Sequence, residues 1–191
     1  MSKKKKSAPM VLTALFAALI SAGCFIQIPL PGGVPVAIQD MLAMLSGMIL
    51  GPVYGAGAVV IFLVLGCIGL PVFTGKAGAQ VILGGPTGGF LIGYLLGALA
   101  AGLVLAALLP LGRMHSTAAA YVVITLAALA ATFVLFACGI VRFMQLTGYE
   151  FGKTMAAVLI PFIPGNIIKL ILMVMLTRKF RPIVNSYLMQ D

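Results

Sequence analysis

The chain has 191 residues, 62% of them hydrophobic and 8% charged, with a mean hydropathy of +1.22. A soluble domain carries about 25% charged residues, so this sequence cannot cover a water-facing surface, and lipid must be its solvent. It holds 12 Lys and Arg against 3 Asp and Glu, and seven of the 12 collect at the ends, in residues 3–6 and at Arg178, Lys179 and Arg181; that argues against the continuous basic face of a nucleic-acid binder and fits the basic flanks of cytoplasmic membrane loops.

A helix crosses the hydrocarbon core with about 20 apolar residues. Residues 10–28 form the first such run. A basic start followed by an apolar stretch resembles a secretory leader, but the stretch is too long for one and further spans follow, so it is read as a retained helix. Residues 29–35, PLPGGVP, hold three prolines and two glycines and cannot continue it. Residues 38–50 make a short apolar helix that stops at Gly51 and Pro52. A third run covers 53–70, and a second glycine-rich break, PVFTGKAGAQVILGGP, covers 71–86. Residues 87–109 and 117–144 are the fourth and fifth runs, and 151–180 is the sixth, interrupted at Pro161 and Pro164. The expected fold class is an all-α integral membrane bundle of six transmembrane helices. Residues 1–9 would be a basic tail, 10–182 a single membrane domain and 183–191 a C-terminal tail.

Even span number puts both termini on one side. If residues 3–6 are cytoplasmic, Arg113, Arg178, Lys179 and Arg181 join them, while Lys76, Arg142 and Lys153 fall outside. Eight against three is the bias expected of a cell-membrane protein with both termini in the cytoplasm. The irregular segments 29–37, 71–86 and 145–153 then share the outer side. Backbone freed from helix near a membrane survives where it is buried in protein or lines a cavity, so these segments are read as a ligand cup.

Three small-residue stripes stand out. Ala14, Ala18 and Ala22 let another helix approach closely, either inside the bundle or on a partner. Gly85, Gly89, Gly93 and Gly97, and likewise Gly47, Gly51 and Gly55, are read as internal packing. Polar groups inside spans are costly and therefore informative. Gln39 and Asp40 open the second helix. Asn166 and Lys169 lie three residues apart, on one face of the sixth. Lys169 needs either a protein carboxylate or an anionic ligand. Asp40 could pair with it structurally, or the two could form the polar end of an apolar pocket.

Other chemistries fit poorly. Phe151-Gly152-Lys153-Thr154 lacks the phosphate-loop glycine, since position 147 is Thr147 and no strand precedes it, so energy from ATP would have to come from another chain. His115 is the single histidine, beside Arg113 in a loop, and no nucleophile–base pair or close carboxylate pair builds an enzyme site. Cys24, Cys67 and Cys138 sit in apolar runs without a CxxC or Cys/His cluster, so no disulfide or metal is implied.

The stretches VPVAIQDMLAMLSGMILGPVYGA (34–56), GLPVFTGKAG (69–78), GGPTGGFLIGY (84–94) and IPFIPGNIIK (160–169) resemble the BioY family, the biotin-specific S components of energy-coupling factor (ECF) transporters. The similarity runs over nearly the whole chain and is weakest in the fifth span. It implies a six-helix S-component fold with biotin held near the outer face and no cofactor. By position, it points to Gln39 and Asp40, to Thr74, Gly75, Lys76 and Gly78, to Pro86, Thr87 and Gly88, and to Asn166 with Lys169. It also implies that Ala14, Ala18 and Ala22 dock on a transmembrane coupling subunit that works with two ATPase subunits. Whether the chain acts alone, as a homodimer or only with those partners stays open. Two positions depart from the family pattern. Asn166 stands where an acidic residue is usual, leaving Asp40 as the candidate counter-charge for Lys169. Lys76-Ala77-Gly78-Ala79 replaces a more glycine-rich run. The expected function is biotin binding as an ECF S component; the alternatives are an S component for another small vitamin and a membrane scaffold without a ligand.

Overall fold

The computed structural model describes residues 7–28, 36–109 and 117–188. The basic N-terminal residues 3–6, the PLPGGVP segment, Arg113, His115 and the last three residues lie outside the described residues. Eight helices are present among the rest: α1 (Ser7–Ala22), α2 (Gln39–Leu50), α3 (Pro52–Cys67), the single turn α4 (Gln80–Leu83), α5 (Gly88–Leu108), α6 (Thr117–Thr147), α7 (Phe151–Val158) and α8 (Ile163–Leu188). Four stretches are long and apolar enough to cross a membrane: Ala8–Phe25, Gly88–Leu108, Ala118–Thr147 and Phe151–Val184. With the shorter apolar α2 and α3, they make the six-helix membrane bundle that hydropathy predicts.

The first span ends earlier than its apolar run. After a 3-10 turn at Gly23–Phe25, the strand β1 (Gln27–Ile28) pairs antiparallel with β2 (Val36–Ala37), in the register Gln27 to Ala37 and Ile28 to Val36. Ile28 precedes Pro29, and the residue before proline is pushed from helical to extended backbone. The sixth span is two helices joined by a 3-10 turn, Ile160–Phe162, which holds Pro161. Pro164 does not interrupt: it occupies the first turn of α8, where its missing N–H has no helical partner to lose. α8 continues through Pro182 to Leu188, beyond the boundary expected at 182.

α2 is the centre of the molecule. It packs against α1, α3, α5, α6 and α8, and eleven of its 12 residues are buried. At roughly 18 Å it is too short to span hydrocarbon alone, but protein surrounds it, so bilayer thickness does not set its length. Glycine makes these contacts close. A methyl group at Gly47 would overlap the Ala98 carbonyl of α5, one at Gly55 the Gly47 backbone, and one at Gly89 the Cys138 carbonyl of α6. The glycine stripes are therefore internal packing, with an exception: Gly51 meets no neighbouring atom and instead takes φ +85° to reverse the chain between α2 and α3. α1 shows the opposite arrangement. Thr13, Ala17, Ile20 and Cys24 are buried, and Ala14, Ala18 and Ala22 face outward.

Candidate functional site

The ends of α1, α3 and α6 and the starts of α2, α5 and α8 gather at one end of the bundle, around a cavity. Its wall combines residues from β2 and α2 (Ala37, Gln39, Asp40), the loop after α3 (Phe73, Thr74), α5 (Phe90, Leu91, Tyr94), α6 (Leu135, Phe136) and the 3-10 turn (Phe162), with Thr87 at the entry to α5. In this structure they line a small cavity of about 40 Å³.

Polar groups concentrate on α2. Gln39 is fully buried, at 0% exposure. Its Nε2 donates to the carbonyls of Ile20 (3.1 Å) and Val72 (2.7 Å), which ties α2 to α1 and to the loop after α3. Its Oε1 is buried without a hydrogen-bond partner. A buried orphan acceptor costs about 1–3 kcal/mol, so this oxygen is a standing invitation to a donor. Asp40, in the first turn of α2, accepts from the Met41 N–H at 2.7 Å, where the helix N-terminus favours negative charge. Lys169 Nζ donates to both Asp40 carboxylate oxygens at 2.8 Å and to the Ala37 carbonyl at 2.6 Å. The pair is nearly out of solvent, at 10% and 11% side-chain exposure.

The loop after α3 is built rather than slack. Phe73 and Lys76 exchange both backbone hydrogen bonds at 3.0 Å around Thr74 (φ +51°) and Gly75 (φ +81°). That is the two-residue turn with both central φ angles positive, whose twist suits a tight hairpin. The Gly78 N–H returns to the Gly66 carbonyl at 2.8 Å, and the ring of Phe73 lies against Gly66, where no side chain would fit. Phe73 is consequently 1% exposed and edge-on to Phe62, 5.5 Å between centroids.

Aromatic rings complete the wall. Tyr94 stacks on Phe62 at 6.2 Å, Phe90 meets Phe136 edge-on at 5.9 Å, and Phe136 meets Phe162 at 6.1 Å. Such pairs favour offset or edge contacts and hold one another in place.

Of the sequence-predicted residues, Gln39, Asp40, Thr74 and Thr87 reach the cavity wall. Lys169 stands behind Asp40. Gly75, Lys76 and Gly78 shape the hairpin, with Lys76 exposed. Pro86 belongs to the turn into α5, and Gly88 lets the carbonyl of Ile82 in α4 approach where a side chain would collide. Asn166 is half-buried on α8, one turn ahead of Lys169, and is not on the wall. Sequence reasoning missed the aromatic residues Phe73, Phe90, Tyr94, Phe136 and Phe162. Phe90 and Tyr94, four apart just past the glycine-rich break, carried the only usable signal: one helix face aimed at the predicted cup. Among the described residues, no group of three or more His, Cys, Asp or Glu is placed to hold a metal.

Residues 1–186 match the BioY family. The biotin transporter BioY of Thermotoga maritima is 34% identical over 173 residues, covering 90% of this chain and 95% of that protein. The biotin transporter BioY of Rhodobacter capsulatus is 36% identical over 185 residues, covering 91% and 94%, and that of Rhizobium etli is 40% identical over 174 residues, covering 88% and 90%. In three dimensions the chain superposes on the crystal structure of the S-component for biotin from an ECF-type ABC transporter, with a TM-score of 0.82 at 31% identity, covering 95% of this chain and 94% of that one.

Proposed function

This chain belongs to the BioY family, and from that premise we propose that the cavity at the start of α2 is the seat of biotin. The protein is a multi-pass membrane protein and a biotin-specific S component of an ECF-type transporter, a transport subunit rather than an enzyme. The observation that carries the assignment of the cavity is the pair of acceptors at its polar end: the orphaned Gln39 Oε1 and the Asp40 carboxylate. Biotin offers a ureido group with two N–H donors and one carbonyl, an apolar fused ring and chain, and a carboxylate. Gln39 and Asp40 accept from the two N–H groups. The hydroxyls of Tyr94 and Thr87, both on the wall, are available to its carbonyl. Phe73, Phe90, Phe136 and Phe162 enclose the ring system.

Thr74, Gly75, Lys76 and Gly78, with Pro86 and Gly88, frame the mouth, and exposed Lys76 draws the anionic ligand toward it. We read the cavity as opening outward and both termini as cytoplasmic, which the excess of basic residues near the termini supports. On the side of α1 away from the core, the exposed face of Ala14, Ala18 and Ala22 suits a helix of a transmembrane coupling subunit, which two ATPase subunits would energise.

Equilibrium binding of labelled biotin to the detergent-purified chain, with riboflavin and thiamin as competitors, tests the ligand. Saturable binding that neither competitor reduces is expected. Folded protein that takes up no biotin would return the ligand to a screen of other small vitamins.

A further inference from the structure

We propose that the lipid-facing side of α6 holds an anionic diacyl phospholipid, with one acyl chain on each side of the helix and the phosphate on Arg142. The inference does not depend on the reading of the cavity as the biotin site. It rests on two grooves that flank α6 and that ligand binding leaves unused.

One groove runs between α6 and α7, with Leu129, Phe133 and Ile140 on one side and Phe151, Met155 and Leu159 on the other, and holds about 510 Å³. The second, between α5 and α6, holds about 370 Å³ and is lined by Ile92, Cys138, Arg142 and Gln145. Ala137 and Val141 border both grooves and form the ridge between them. The ridge is low and open: Ala137 is exposed, and Val141 is 55% exposed. Both grooves lie on a helical stretch, Ala118–Thr147, that is long and apolar enough to cross a membrane, so hydrocarbon chains are what surrounds them. Along α6 the larger groove runs from Leu129 to Val141, about 18 Å at the rise of an α-helix. One leaflet contributes about 15 Å of hydrocarbon, so a single acyl chain matches the groove in length.

The polar end of the grooves fits a phosphate. Arg142 follows Val141 directly and stands about 15 Å past the middle of the Ala118–Thr147 span, where hydrocarbon gives way to headgroups. Its guanidinium carries five N–H donors. One nitrogen donates to the Leu83 carbonyl at the end of α4 and another to Gln145 Oε1 at 3.4 Å. The remaining N–H groups are free for phosphodiester oxygens, whose geometry the guanidinium fork matches. Lys153, exposed near the start of α7, adds a second positive charge at this end, and Glu150 offsets one. The balance stays positive and favours a net anionic headgroup. A protein helix is a poorer occupant, because close helix packing in membranes uses small residues, whereas Phe133 stands out from this face at 76% exposure. Phe136 lines both the larger groove and the cavity, so the acyl chain packs against the back of the cavity's aromatic wall.

The test is native mass spectrometry of the full chain in detergent, titrated with palmitoyl-oleoyl-phosphatidylglycerol. One saturable adduct per chain is expected, with phosphatidylcholine of the same acyl chains bound about fivefold more weakly. Arg142→Gln is expected to weaken phosphatidylglycerol by about tenfold, and Ala137→Phe, which raises the ridge between the grooves, by a similar factor. Lys179→Gln, toward the other end of α8, is expected to change it by less than about twofold. Uptake without saturation, equal uptake of the two lipids, or uptake that Arg142→Gln and Ala137→Phe leave unchanged would overturn the proposal. Arg142 also holds the end of α4, so where its variant does not fold, Ala137→Phe on the exposed face decides: lost uptake supports the site, and unchanged uptake refutes it. A chain that is dimeric in detergent without added lipid, and monomeric once Ala137→Phe is introduced, would make a second copy the occupant and overturn the lipid assignment.

Discussion

α8 places a buried cation at each end of α2, and the two ends are handled differently. At the start of α2, Lys169 is matched by a carboxylate on the cavity wall. At its finish, Arg181 is 5% exposed and donates through Nη1 to the Met48 carbonyl, while its Nε has no partner. Met48 lies in the last turn of α2, where carbonyls lack intrahelical donors and the helix dipole is negative. One cation is therefore neutralised by a full charge on the cavity wall, and the other is steadied by a helix end remote from it. The comparison teaches that burial of a charge does not identify a site. What separates the two is whether the partner faces open space with acceptor capacity to spare.

Biotin affinity ranks the consequences. Asp40→Ala should have the largest effect, since it removes an acceptor and strands Lys169 without a counter-charge; breaking a buried pair costs about 3–5 kcal/mol, and isothermal titration should register a fall of two to three decades on the order of that energy. Gln39→Leu comes next, with a loss of roughly tenfold for one acceptor. A lowered Tm accompanies it, because the Ile20 and Val72 carbonyls lose their donor. Arg181→Met should lower thermal stability by about 1–3 kcal/mol through the uncapped end of α2, yet leave affinity within about twofold. If Arg181→Met weakened biotin as much as Asp40→Ala, the distinction between the two ends would collapse. Ala18→Leu, on the outward face of α1, should change neither affinity nor Tm while it stops biotin uptake in cells that carry the coupling subunits. Loss of binding in that variant would mean that the face belongs to the fold and not to a partner.

Helix number, the breaks between spans and the packing role of Gly47, Gly55 and Gly89 were legible because hydropathy, proline and glycine act locally. The cavity was legible in part: Gln39, Asp40, Thr74 and Thr87 are polar residues beside helix breaks, and all four reach its wall. The aromatic lining was not. A phenylalanine such as Phe136 inside an apolar span looks the same whether it faces lipid, core or cavity. The partner of Lys169 was left open between a protein carboxylate and a ligand, since it lies 129 residues away and no local periodicity reaches that far. Arg181 was counted with Arg178 and Lys179 as an aqueous flank, and only packing against α2 reveals it as buried. The stripe of Ala14, Ala18 and Ala22 disclosed a smooth face, but its outward direction is set by the buried neighbours Thr13, Ala17 and Ile20.

The most direct test of the central claim is an experimental structure of the chain with biotin bound. The account predicts the ureido ring against Gln39 Oε1 and Asp40, enclosed by Phe73, Phe90, Phe136 and Phe162. Biotin lodged elsewhere, for instance in the apolar groove between α6 and α7 lined by Phe133, Ile140 and Met155, with Gln39 still unpartnered, would contradict it.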